Sequence, residues 1–162
     1  NEGDTVAIGA HVAQVLAVPG HTQGHLAFWF AGEQALFCGD TLFAMGCGRL
    51  LGGTAPQLWR SLDRLRQLPG DTLCYCAHEY TLNNGRFALT VEPDNAALAQ
   101  RMAGVEAARR LGQATIPARL RDEWETNPFL RPESPAIRAR LGLPEASNLE
   151  VFTELRRRKD QF

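Results

Sequence analysis

The stretch HVAQVLAVPGH, residues 11–21, sets the architecture. It is apolar and β-branched from His11 to Val18, Pro19-Gly20 stops it, and a histidine, His21, follows at once. Such a run is too short for a stable helix and reads as a strand ending in a turn. The pattern recurs further along. Leu26–Phe30 is a second run, ended by Gly32, and Ala35–Cys38 is a third, ended by Gly39 and followed by Asp40. Thr72–Cys76 reads as a further strand, with His78 two residues beyond it. Between the third and the last lies one helical signal. Thr54 with Gln57 three residues later fits a capping box, Pro56 suits the first turn, and Leu58, Leu62, Leu65 and Leu68 share a face until Pro69-Gly70 ends the run. Strand, helix, strand within a mostly β half predicts a layered α/β (α+β) architecture.

After about residue 80 the character changes. Leu98, Met102 and Val105 keep an i, i+4, i+7 spacing, and Pro117, Pro128, Pro132 and Pro135 divide the segment into short helices and loops. Ser147 with Glu150 makes a second capping box and opens a last helix with Leu149, Phe152 and Leu155 turned inward. The expected organisation is a strand-rich domain over residues 1–80 and a small helical domain over residues 81–162.

Composition narrows the class. In 162 residues, 44% hydrophobic and 22% charged, a packed core is expected rather than disorder. The net charge of −1 argues against a general nucleic-acid or membrane binder, and no apolar run approaches the ~20 residues of a membrane span. Four cysteines, Cys38, Cys47, Cys74 and Cys76, form no CxxC pair and read as buried free thiols in a reducing compartment, so a cytoplasmic location is expected.

Three polar residues, His21, Asp40 and His78, follow three predicted strands. In layered α/β folds the strand ends converge on one edge, where sites gather. Two imidazoles and a carboxylate suit Zn, Fe or Mn, and a carboxylate can bind one ion with each oxygen. His11 and His25 are read as structural, although His25, at the start of a strand, could as easily orient a neighbour as bind metal. The basic tail, Arg156-Arg157-Arg158-Lys159, taken alone reads as a solvated helix end that suits the helix dipole.

The motifs then carry a resemblance. Pro19-Gly20-His21-Thr22-Gln23-Gly24-His25 resembles the PGHTxGH motif of the metallo-β-lactamase superfamily, and Gly39-Asp40-Thr41-Leu42-Phe43 its bridging-aspartate motif. Gly46-Cys47-Gly48-Arg49, Cys76-Ala77-His78-Glu79-Tyr80-Thr81, Asn127-Pro128-Phe129-Leu130-Arg131 and Arg158-Lys159-Asp160-Gln161-Phe162 resemble glyoxalase II, the hydroxyacylglutathione hydrolases, in order and spacing along the whole chain.

The resemblance implies the C-terminal half of a four-layer αββα metallo-β-lactamase fold followed by a small helical domain. It implies two divalent metal ions, zinc first with iron or manganese as alternatives, His21 on one, His78 on the other and Asp40 bridging. Arg49, Tyr80, Arg156 and Lys159 would hold the glutathione part of the substrate, Arg156 and Lys159 sharing a helix face. Leu51 stands where some members carry an aromatic substrate contact. The implied reaction is hydrolysis of S-D-lactoylglutathione to D-lactate and glutathione, in methylglyoxal detoxification, by a monomer without nucleic-acid or membrane partners. No HxHxDH run, the family's other metal motif, occurs in the sequence. The chain is therefore expected to be an N-terminally truncated form, inactive alone. The rival readings are another hydrolase or a persulfide dioxygenase of the same fold, a nuclease, and a non-catalytic binder of glutathione conjugates.

Overall fold

The computed structural model describes residues 1–162. Strands β1 (Thr5–Ile8), β2 (His11–Ala17), β3 (Leu26–Phe30) and β4 (Ala35–Gly39) form an antiparallel meander, and helix α1 (Ala55–Leu65) then carries the chain to β7 (Leu73–Cys76), which pairs with β4 in parallel. Between β4 and α1 the chain makes a small separate hairpin, β5 (Leu42–Phe43) and β6 (Gly46–Cys47). The expected strands and the helix fall within a residue or so of these bounds, apart from the end of α1. Its start is fixed as the sequence predicts: Thr54 accepts from the Gln57 N–H while Gln57 reaches back to Thr54. The helix ends near Leu65, before Leu68.

The remaining elements are α2 (Thr81–Val91), α3 (Ala96–Arg110), β8 (Ala118–Arg119), α4 (Leu120–Thr126), a single 3₁₀ turn at Pro128–Leu130, α5 (Pro135–Leu141) and α6 (Asn148–Gln161). The Ser147–Glu150 capping box is present, and α3 buries Leu98, Met102 and Val105 as their spacing requires. One strand here is not expected from the sequence. β8 pairs antiparallel with β7 and closes that edge of a six-stranded sheet ordered β1-β2-β3-β4-β7-β8. Two residues are too few to show a period of two. β1 also escapes the sequence reading, because all four of its residues are exposed and give no buried pattern.

One face of the sheet packs on the helices. Leu16, Ala27, Leu36, Cys38 and Cys74 form a single core with Leu58, Leu62 and Leu65 of α1, and the same core takes in Phe87, Phe129, Phe152 and Leu155. The strand-rich and helical stretches thus share one interior. The opposite face follows the register Val6–Ala13, Val15–Phe28–Phe37–Tyr75 across the strands. Apolar and aromatic side chains dominate it, yet Phe37 is 45% exposed and Val6 39%. Phe37 stacks on Tyr75 at 4.8 Å and meets Phe30 edge-on at 5.7 Å. No helix of the chain is long and apolar enough to cross a membrane.

Candidate metal and substrate site

Parallel pairing of β4 and β7 sets Gly39 opposite Cys76, so Asp40 and His78 leave the sheet at the same edge. The Ala77 N–H to Gly39 carbonyl bond of 3.1 Å extends that pairing past the strands. His21 reaches the same point from the turn between β2 and β3. His78 Nε2 lies 3.2 Å from Asp40 Oδ1, and His21 Nε2 lies 4.0 Å from Asp40 Oδ2. Each carboxylate oxygen therefore faces a different imidazole. The arrangement is two pairs sharing Asp40; no three His, Cys, Asp or Glu side chains gather tightly enough to form a ready-made cage.

The orientation of these groups is set by neighbours. His21 Nδ1 is 2.8 Å from the Arg49 carbonyl, an acceptor, so Nδ1 is the donor there; in the neutral ring that leaves Nε2, the nitrogen facing Asp40, as the one with the free lone pair. The Leu51 N–H donates back to the His21 carbonyl at 2.8 Å. His25 is turned to the backbone of the same loop. Its Nε2 accepts from the Asp40 N–H at 3.0 Å and holds the start of the loop. Gly48 crosses so close to this loop that a Cβ there would sit 2.0 Å from the Asp40 carbonyl oxygen.

Phe43 belongs to the quoted Gly39–Phe43 motif, but nothing in the sequence pattern signals its role. Its ring lies 6.1 Å from that of His78 and 5.3 Å from that of Tyr80, while His78 and Tyr80 stack at 4.9 Å. Tyr80 itself is half exposed beside them.

Of the remaining expected substrate residues, Arg49 is exposed and Lys159 is half-buried. The Lys159 ammonium donates to the Asn83 carbonyl at 3.3 Å and sits 4.9 Å over the Phe162 ring. Burial, reinforced by repulsion from Arg156 and Arg49, pushes it down to about 8. Arg156 is the more buried of the two expected substrate cations on α6. It does lie on the same face of α6 as Lys159, but that face is turned into the protein and Arg156 is only 4% exposed. Its guanidinium donates to the Cys47 carbonyl at 3.0 Å, the Gly48 carbonyl at 3.4 Å and Asp160 Oδ1 at 2.8 Å, and lies over Phe129. It meets the backbone beside Arg49 rather than open solvent.

Residues 79–162 match the family model described as hydroxyacylglutathione hydrolase C-terminus. The chain belongs to the hydroxyacylglutathione hydrolase family. Residues 1–78 match the metallo-beta-lactamase superfamily. Over 161 residues the chain is 62% identical to a hydroxyacylglutathione hydrolase of Methylococcus capsulatus, covering 99% of this chain and 63% of that protein. It is 53% identical to one of Rhodospirillum rubrum with the same coverage. The chain thus spans somewhat under two thirds of the length of these curated relatives. Among solved structures it is similar to ETHE1 from Myxococcus xanthus, with a TM-score of 0.61 at 26% identity over 97% of this chain and 50% of that one. A metallo-beta-lactamase from Staphylococcus aureus, TM-score 0.56 at 20% identity over 97% and 41%, shares the fold.

Proposed function

We propose that this chain carries metal-holding and glutathione-holding residues of a hydrolase that cleaves S-(2-hydroxyacyl)glutathione, with S-D-lactoylglutathione giving D-lactate and glutathione. The observation that carries the reading is the split carboxylate: Asp40 offers one oxygen to His21 and the other to His78. The donor chemistry fits two divalent ions. Two imidazole nitrogens with a carboxylate between them suit zinc, and iron or manganese as well, and the Arg49 carbonyl already fixes the tautomer His21 needs as a ligand. When bound, such ions acidify a water and polarise a carbonyl oxygen.

The chain's own residues do the rest. The water oxygen joins the thioester carbonyl carbon, the C–S bond breaks with its electron pair leaving on the glutathione sulfur, and the two protons of the water go one to that sulfur and one to solvent, leaving a carboxylate and a thiol. No protein nucleophile is required, and the thiols are unsuited to be one: burial pushes Cys47 up to about 11 and raises Cys38, Cys74 and Cys76 too. Glutathione brings two carboxylates. Arg49 and Lys159 are cations near one another, and a charge-assisted bond from each is worth ~1.5–3 kcal/mol. Tyr80, stacked on His78 and half exposed, brings its ring to the same edge. Arg156 lies against the backbone that carries Arg49, on the same helix face as Lys159, and joins them in the substrate-holding group. Four free cysteines suit a reducing compartment, which supports a cytoplasmic location.

The test uses this chain extended with the amino-terminal third of the Methylococcus capsulatus relative. The extended chain should hydrolyse S-D-lactoylglutathione, and Asp40→Ala should reduce turnover to below about a tenth, as removal of a shared ligand demands. Turnover above that level with both metals still bound would overturn the bridging role. Turnover of a persulfide in place of the thioester would overturn the substrate.

A further inference from the structure

The Lys159 ammonium rests in the corner between two phenyl rings. Nζ lies 4.9 Å from the centroid of the Phe162 ring and 5.4 Å from that of Phe87. Both separations fall within the ~6 Å at which an aromatic face attracts a cation. The two rings meet edge to face, 5.7 Å apart and at 67° to each other, and so form two walls. The third side is the Asn83 carbonyl of α2, which accepts from Nζ at 3.3 Å.

The walls differ in what holds them. Phe87 is 2% exposed, stacks on Phe129 at 5.9 Å and belongs to the main core. Phe162 is 56% exposed, and its N–H donates to the Lys159 carbonyl at 3.4 Å. A ring so exposed adds little to the core, and its contacts are with Phe87 and the ammonium. The charged groups facing Nζ are Arg156 and Asp160 from α6 and Arg49 and Cys47 from the loop after β5; α2 presents only Phe87 and the Asn83 carbonyl, which do not titrate. Two of those groups are cations that repel the ammonium, and the carboxylate of Asp160 accepts from Arg156. A π face offsets that repulsion without competing for N–H donors, as a carboxylate partner would. It also holds the head of a flexible four-carbon stem, which reduces the rotamer freedom lost when a ligand arrives.

We propose that Phe162 is a positioning residue for substrate binding: with Phe87 it forms an aromatic corner that holds the Lys159 ammonium and leaves its remaining N–H donors free for a carboxylate of the glutathione moiety. The proposal rests on the hydrolase reading above.

The test measures two things in the extended chain: Kd for glutathione itself by calorimetry, and KM and kcat for S-D-lactoylglutathione as a function of pH. Phe162→Ala should raise Kd and KM roughly 3- to 10-fold at pH 7, the range of a partly desolvated cation–π contact, and leave kcat within about 2-fold. Water regains access to the ammonium in this variant, so the rise of KM that begins near about 8 in the parent should move to higher pH. Phe162→Tyr keeps the aromatic face and should match the parent. Phe162→Leu keeps apolar cover without the ring and should resemble Phe162→Ala at pH 7; it also carries the test if Phe162→Ala does not fold. In a Lys159→Ala background, Phe162→Ala should change KM no further, because the two act as one unit. Additive effects in that cycle, or Phe162→Leu behaving as the parent, would overturn the proposal. A lowered Tm with Kd, KM and pH profile unchanged would reduce Phe162 to a structural contact and overturn it too. A parent that neither binds glutathione nor hydrolyses the thioester would overturn the hydrolase reading, and the proposal with it.

Discussion

Lys159 shows how far a single residue's chemistry is set by its surroundings. Burial and the neighbouring cations Arg156 and Arg49 bring it down to about 8, with Cys47 and Asp160 acting weakly the other way. Its charge is therefore present below pH ~8 and lost above, well before a free lysine would lose it. In the extended chain, KM for the glutathione thioester should be flat below about pH 8 and climb above it, and Lys159→Ala should raise KM roughly 10-fold at pH 7 and abolish that climb. An unchanged KM in Lys159→Ala would remove the residue from the substrate site. Stability moves oppositely. Between about 8 and the ordinary value of 10.5 the unfolded lysine binds a proton the folded one has released, so this group makes folding more favourable as pH rises through that window. His21, Asp40 and His78 are legible at this scale because each closely follows a strand. The burial of Arg156 is not: a spacing of three tells that two residues share a helix face, but not whether that face meets solvent or another element.

Among the elements, the two capping boxes and the leucine spacing of α1 are legible because they are local, each a matter of three or four residues. The short strands β5, β6 and β8 are not, since they exist only by virtue of what they pair with. The β5–β6 loop is also where a small change should cost most. Gly48→Ala forces a Cβ to within 2.0 Å of the Asp40 carbonyl, a backbone atom that cannot step aside alone. Moving the loop by about an ångström is enough for a fall of order 100-fold in kcat. Gly104, exposed in the interior of α3 with nothing within 4 Å of where a methyl would sit, is the counterpart. Gly104→Ala should leave kcat unchanged and stabilise the protein by ~0.5–1 kcal/mol through helix propensity. Steady-state assays and thermal melts of the two variants check both expectations; normal kcat in Gly48→Ala would show that the loop tolerates displacement.

Taken whole, the molecule is one main core, with a smaller cluster of Met45, Ala88, Leu98, Met102 and Val105, and one largely apolar sheet face that no helix covers. The sequence suggests two stretches of different character, and periodicity marks the apolar side of each element; it does not tell that Phe87, Phe129 and Phe152 enter the same interior as Leu36 and Leu58. The face bearing Phe37, Phe28 and Val6 gives the 162-residue chain a surface that should bind a hydrophobic dye, and joining the chain to the relative's amino-terminal third should suppress that binding. By ligand count the chain alone should hold metal weakly and turn over little thioester, because His21, Asp40 and His78 offer two donors to each ion where about three or more are usual. The bridging role proposed for Asp40 is tested most sharply by the metal content, after dialysis, of the extended chain and its variants. Two ions are expected in the parent, one in His21→Ala, one in His78→Ala, and loss from both positions in Asp40→Ala. Two ions retained in all three variants would contradict a site built on these residues.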